Sequence, residues 1–228
     1  MYMTKTEHMQ NAGLSALRRH DLEYVIGVDE VGYGAWAGPV VVCACVVSAK
    51  WSDGRINDSK KMTPLSRAKA VDEILVEPTI RFHKLWAVSA AEIDNMGIIK
   101  ARDLAVRRAV DACIAFGRED FQSIGNFYNW LVVMDGDKAI AGLPTNTIFF
   151  PKADDLVPAV SAASVLAKVA RDKIMKGFDL KYPGYGFATN VGYGTEKHMR
   201  GIEDHGLTPI HRRSYKPIKD YARLHEEK

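Results

Sequence analysis

Acids close three short apolar runs in this 228-residue chain. Asp29 and Glu30 follow YVIGV, Asp135 follows LVVM and precedes Gly136, and Asp154 with Asp155 lies just beyond TIFF (147–150). Each run reads as a buried strand, and an open α/β sheet gathers its ligands beyond the carboxyl ends of its strands. If these strands are neighbours, their terminal acids converge. Carboxylates brought together repel unless cations neutralise them, and oxygen-only donor sets suit hard divalent ions such as Mg²⁺. Two such ions, roughly 3.5–4 Å apart, activate a water and stabilise the leaving oxygen in phosphodiester hydrolysis. Acids after strands are also ordinary turn and cap residues, and spacing alone leaves both readings open. Inside a regular strand Asp29 and Glu30 point to opposite faces. Both reach one site only if the strand ends or bends there, and Val31-Gly32 offers the place.

The hydrophobic period supplies the elements that must carry these acids. Tyr24 to Asp29, Pro39 to Val47 and Arg81 to Ser89 read as early strands, with a loop over 51–64 marked by Gly54, Asn57, Asp58 and Ser59. Over 101–116 the apolar positions Leu104, Ala105, Ala109, Ala112, Cys113 and Phe116 recur at helical spacing. Ser161 to Met175 is helical, with Ala162, Val165, Leu166 and Val169 on one face. Thr195 caps a further helix that Gly206 closes. Strands first, then helix–strand units, predict an α/β domain with a mixed sheet, extended by a helical C-terminal part from about residue 177.

Gly32-Tyr33-Gly34-Ala35-Trp36-Ala37-Gly38 follows the first strand but is not a dinucleotide turn. That signature needs a helix to open at the glycines, and here Pro39 leads into another strand. It is not a P-loop either, because no Lys-Ser/Thr follows. The glycines offer bare backbone beside Asp29 and Glu30, where a sugar or phosphate can approach closely; a tight turn with unusual backbone angles fits these residues equally well.

Composition narrows the classes. Hydrophobic residues at 47% and charged ones at 26% describe a globular chain rather than a disordered one. Three cysteines, Cys43, Cys45 and Cys113, with no CxxC pair exclude a disulfide scaffold or zinc ribbon and fit a reducing compartment. Cys43 and Cys45 share a strand face and read as core. Residues 1–19 lack an apolar block, and Ala37 to Val47 is too short for a membrane span, so a cytoplasmic location is expected. Net charge is only +3, but His211, Arg212, Arg213, Lys216, Lys219 and Arg223 interleave with Tyr215 and Tyr221. That tail is a phosphate-contacting surface or a solvated helix.

With these pieces assembled, the chain resembles ribonuclease HII, the type 2 ribonuclease H family. The segments that carry the resemblance are GVDEVGYGAWAGPVV (27–41), NDSKKMT (57–63), VVMDG (132–136), KADDLVPAVSAASVLAKVARD (152–172), YPGYGF (182–187), VGYGT (191–195) and TPIHRRSY (208–215). The resemblance implies a ribonuclease H-like fold: a central mixed five-stranded sheet flanked by helices, with residues 1–20 as an extension and 21–228 as the catalytic domain. It implies endonucleolytic hydrolysis of RNA in RNA–DNA hybrids and nicking 5′ of ribonucleotides embedded in duplex DNA. The products carry 3′-hydroxyl and 5′-phosphate ends, in ribonucleotide removal and RNA primer degradation. Its metal-binding acids map onto Asp29, Glu30, Asp135 and Asp154, holding two Mg²⁺ or Mn²⁺ ions, with Asp155 a bystander. Its Gly-Arg-Gly loop, whose backbone senses the 2′-hydroxyl, falls on Gly32-Tyr33-Gly34, and its sugar-stacking tyrosine on Tyr193. Asn57, Ser59 and Lys60 match a phosphate-contacting loop, and Arg212 and Arg213 a basic segment. The expected partners are hybrid and ribonucleotide-containing duplex; a monomer is expected, and the tail SYKPIKDYARLHEEK shows no clamp-binding motif.

Two positions depart from the family. Tyr33 replaces its arginine, removing a cation and five donors, and Asn190-Val191 replaces a His-Lys pair. Phosphate affinity is therefore expected to fall while ribose sensing by the backbone survives. Ser164 and Lys168 read as small-residue packing rather than a nucleophile pair, Asp172 as a salt-bridge or capping residue, and His211 as structural or a proton-transfer aid. A hybrid-binding protein without catalysis, the sister ribonuclease HIII and a nuclease for DNA alone are the rival readings.

Overall fold

The computed structural model describes residues 3–19, 21–51, 59, 62–120 and 129–225. Within it β1 (Tyr24–Val31), β2 (Val40–Ser48), β3 (Ile80–Val88), β4 (Trp130–Asp135) and β5 (Thr147–Phe150) form one mixed sheet in the order β3-β2-β1-β4-β5. β4 pairs in parallel with both β1 and β5. Helices flank the strands in sequence: α1 (Lys5–Leu17), α2 (Pro64–Val76), α3 (Ala90–Met96), α4 (Ile98–Asp120), α5 (Ala153–Leu156), α6 (Pro158–Lys181), α7 (Phe187–Asn190), α8 (Glu196–His205) and α9 (Lys216–His225). No helix among the described residues is long and apolar enough to cross a membrane.

The chain divides into two compact units. The first comprises Met1–Asp29, Val42–Trp86 and Val106–Ala167; the second comprises Glu30–Val41, Ala87–Ala105 and Lys168–Lys228. In the first, Gly27 is where α6 meets β1: a Cβ there would stand 2.1 Å from the main-chain carbon of Ala159. Only glycine lets the helix start lie that close. The opening of α6 is buried on every side from Ser161 to Ala167, which its serines and alanines permit. Ser164 Oγ lies 2.8 Å from Ser59 Oγ, and Arg67 donates to the Ser59 carbonyl at 2.9 Å. Residues 5–17, which sequence alone leaves unassigned, form a helix capped by Thr4 and Glu7. Gln10 ties this helix to the Pro151 carbonyl at 3.0 Å.

The buried stripe of α4 is rotated from the expected one. Ala101, Ala105, Ala109 and Cys113, four apart, are fully buried with Val106 and Val110. Leu104, Ala112 and Phe116 stand at the half-buried edge, Phe116 stacked on Phe82 at 4.5 Å. All three cysteines are buried free thiols, and burial pushes Cys45 up to about 12.

Candidate active site

Asp29 is 7% and Asp154 4% exposed, so two carboxylates of the first unit are drawn out of water. The β1–β4 register pairs Val28 with Met134, and one step further sets Asp29 beside Asp135 on the same face of neighbouring strands, about 4.8 Å apart. Gly136, at φ +114°, ends β4 with a backbone that side-chain-bearing residues rarely adopt. Asp135 Oδ1 then accepts the Ala153 N–H at 2.9 Å, which fastens α5, and with it Asp154, to the strand end. The neighbouring Asp155 is exposed. The donor set is carboxylate oxygen throughout and fits a hard cation. Among the described residues, however, no three His, Cys, Asp or Glu side chains stand close enough to grip one as placed, so the acids would have to draw together around it. β1 does not end at Asp29. It runs on to Val31, so Glu30 still belongs to the strand and the turn comes only at Gly32.

The second unit holds the glycine turn, and two buried arginines shape it. Arg212 is fully buried. It donates to the carbonyls of Gly32 (2.7 Å), Tyr33 (2.8 Å) and Gly38 (3.0 Å) and to the Tyr215 hydroxyl at 3.0 Å. Arg171, equally buried, donates to Pro39 at 2.8 Å and Ala37 at 3.3 Å. Burial, against the pull of Tyr193 and helped by the charge of Arg212, brings Arg171 down to about 10, still a cation at neutral pH. A trans peptide sets each N–H opposite the preceding carbonyl, so the Tyr33 and Gly34 amides point away from the arginines. Neither donates to a main-chain carbonyl among the described residues.

The glycines of this turn separate by cause. Gly32 has φ +88° and Gly38 φ +82°, and a Cβ would strike Arg171 at 2.1 Å in the first case and Met175 at 2.3 Å in the second. Gly34 has neither constraint: the nearest atom to its missing Cβ is Cε1 of Tyr193, 4.0 Å away. That bare backbone is not required by the fold.

Tyr193, 40% exposed, is held from behind. Gly192 accepts the Trp36 amide at 2.8 Å, and a Cβ on Gly194 would lie 2.1 Å from the Trp36 ring. The Tyr193 carbonyl faces His198 Nδ1 at 3.0 Å, and His198 Nε2 faces His211 Nε2 at 3.1 Å. Because the Thr208 N–H donates to His211 Nδ1 at 2.9 Å, one proton order satisfies the whole relay. His211 donates through Nε2 to His198, and His198 through Nδ1 to Tyr193. Both rings are neutral in it. Burial lowers both, and with His198 nearby brings His211 to about 4.

A folded value below the unfolded one of about 6.5 means the native state binds fewer protons. Stability is then complete above pH 6.5 and is lost as pH falls toward 4, by about 3 kcal/mol at the low end. Melting curves between pH 7.5 and 4.5 should show the wild type losing stability more steeply than His211→Gln; parallel slopes would remove the pair as the cause.

Several expected substrate contacts are placed differently. Arg212 faces inward and is fully buried, its guanidinium donating to three carbonyls of the turn. The Ser59 hydroxyl faces Ser164 and is buried, while Asn57 and Lys60 lie outside the described residues. Arg213 is exposed, its main-chain N–H bonded to Asp94 at 2.8 Å. Asp172 pairs with Lys168 at 2.7 Å. Sequence reasoning missed Arg171, which lies inside the VARD segment one residue before the acid that drew attention, and Arg102, which reads as an ordinary helix residue.

The chain is similar to known proteins in sequence and in fold. Residues 26–218 match the family described as Ribonuclease HII. The Ribonuclease HII of Jannaschia sp. (strain CCS1) is 39% identical over 194 residues, covering 85% of this chain and 90% of that protein. That of Desulfitobacterium hafniense (strain DSM 10664 / DCB-2) is 37% identical over 201 residues, 86% of this chain and 70% of that one. Two solved structures share the fold. Ribonuclease H2 from Pyrococcus horikoshii OT3 superposes with TM-score 0.67 at 23% identity, covering 90% of this chain and 100% of its own. Bst-RNase HIII in complex with Mn²⁺ gives 0.67 at 17%, covering 99% and 75%. With a family match over most of its length and relatives above one-third identity, the chain belongs to the ribonuclease HII family and is a ribonuclease H-type hydrolase.

Proposed function

We propose that this enzyme hydrolyses RNA in RNA–DNA hybrids and nicks duplex DNA on the 5′ side of embedded ribonucleotides, leaving 3′-hydroxyl and 5′-phosphate ends, in ribonucleotide removal and primer degradation. The observation that carries the reading is Gly34. Its bare backbone faces Tyr193 across 4.0 Å, and its amide points away from the arginine that holds the preceding carbonyl. A 2′-hydroxyl is what distinguishes RNA from DNA at one position, and an outward amide beside an exposed ring accommodates a sugar: the amide donates to the hydroxyl, and Tyr193 packs on the ring of the neighbouring sugar.

Asp29, Asp135 and Asp154 would hold divalent ions, Mg²⁺ or Mn²⁺; Glu30 joins them by the resemblance. Bound there, the metal would supply an activated water and support for the departing 3′-oxygen. The protein's own part is to hold the acids at strand ends and to seat the ribose against the glycine turn. End-labelled DNA duplex with one ribonucleotide, a long RNA–DNA hybrid and an all-DNA control, each with Mg²⁺ and with Mn²⁺, test the proposal. A single nick 5′ of the lone ribonucleotide is expected. Cutting of the all-DNA control, or of nothing, would overturn it.

A further inference from the structure

Arg102, on α4, stands beside Tyr33 at the glycine turn. Its Nε and Nη2 donate to Asp103 Oδ1 at 2.9 and 2.7 Å. Its Nη1 faces Glu30 Oε1 at 3.8 Å, and its guanidinium carbon lies 5.8 Å from the centre of the Tyr33 ring. The side chain is 15% exposed, so it is steadied without being sealed off.

The three contacts are unequal. Asp103 grips one edge of the guanidinium within hydrogen-bond range. Glu30, at 3.8 Å, is beyond that range and attracts without bonding. The Tyr33 ring offers a face on which a cation rests. Nη1 is therefore the donor left for an incoming acceptor, beside a carboxylate and an exposed turn. If Glu30 takes part in holding a divalent ion, its charge is drawn toward the metal. The Glu30–Arg102 attraction then weakens where an anionic phosphate arrives.

We propose that Arg102 binds a substrate phosphate at the Gly32-Tyr33-Gly34 turn, supplying from α4 the cation that Tyr33 does not. This rests on the nuclease reading above. The proposal also makes Tyr33 and Arg102 occupants of one place. An arginine at position 33 would sit against the guanidinium of Arg102, so it should improve binding only when Arg102 is gone.

The test is a cycle of Arg102→Ala, Tyr33→Arg and the double variant, made in full-length Asp135→Asn protein so that binding is read without cleavage. The probe is a labelled DNA duplex with a single ribonucleotide, at several salt concentrations. Arg102→Ala should weaken binding about tenfold and lower the salt slope by about one. Tyr33→Arg should restore most of the loss in the Arg102→Ala chain and change the otherwise unaltered chain less than threefold. With Asp135 intact, the same substitution should raise KM more than it lowers kcat. If Arg102→Ala disturbs folding, Arg102→Gln keeps a donor for Asp103 without the charge and is read in the same assay. An unchanged Kd and salt slope, or equal gains from Tyr33→Arg with and without Arg102, would overturn the proposal. Those results leave the nuclease reading standing, whereas failure to cut any ribonucleotide-containing substrate removes that reading first.

Discussion

Asp135→Asn should lower cleavage by at least about a thousandfold while leaving the fold unchanged. The expectation comes from what the substitution keeps. The asparagine carbonyl still accepts the Ala153 N–H, so the link that fastens α5 to the end of β4 survives, and the side chain hardly changes shape. What disappears is one negative charge beside Asp29. A thousandfold is about 4 kcal/mol of barrier, of the order expected when an ion that activates water loses a ligand. Two readouts separate this from damage. The melting temperature without metal should be equal to wild type or slightly higher, since a repulsion between neighbouring carboxylates is relieved. The rise in melting temperature that Mg²⁺ or Mn²⁺ gives the wild type should be largely lost. Retained turnover in a clean preparation would take Asp135 out of the site.

The largest effect on stability should come from Arg212→Ala. Four hydrogen bonds leave with the guanidinium: the Gly38 carbonyl loses its charged donor, while the Gly32 carbonyl keeps only the Ala35 N–H and the Tyr33 carbonyl only the Tyr215 hydroxyl. Hydrogen bonds to charged groups contribute about 1.5–3 kcal/mol each and do not add fully. A loss of about 3–5 kcal/mol is expected, read as a drop of about 10 °C in melting temperature. Arg212→Lys should recover little, because an ammonium cannot reach three carbonyls in a plane. Any ribonucleotide selectivity should fall with it, since the turn that carries Gly34 loses its backing. A variant that melts with the wild type would show that water replaces the guanidinium and that the turn holds its shape unaided.

The strand ends were the most legible part of the chain. YVIGVD, LVVMD and TIFF are short, β-branched or aromatic runs closed by Asp-Gly or a polar turn, and β1, β4 and β5 fall on them. Thr195 and Gly206 marked the ends of α8 because capping chemistry is local. The continuation of β1 through Glu30 to Val31 was less visible, since a charged residue at a strand end reads equally as the start of a loop. Least visible was the inward direction of Arg171 and Arg212. An arginine in a basic segment is expected to face solvent, and only the tertiary placement of five carbonyls shows otherwise. The setting of the Ser59 hydroxyl was hidden for a similar reason: its partner, Ser164, is over a hundred residues away. The α4 stripe was displaced because Ala101, Val106 and Val110 join Ala105, Ala109 and Cys113 on the buried face, which leaves Leu104, Ala112 and Phe116 at its rim.

Because the glycine turn is held through its main-chain carbonyls, its shape does not depend on which side chain stands at position 33. The arginines behind it grip atoms that every residue possesses. Position 33 is thus a site where the sequence can drift without loss of the scaffold, and tyrosine there is an instance of that freedom. The same independence makes it a convenient position for redesign: a substitution at 33 should leave the geometry that presents the Gly34 amide unchanged.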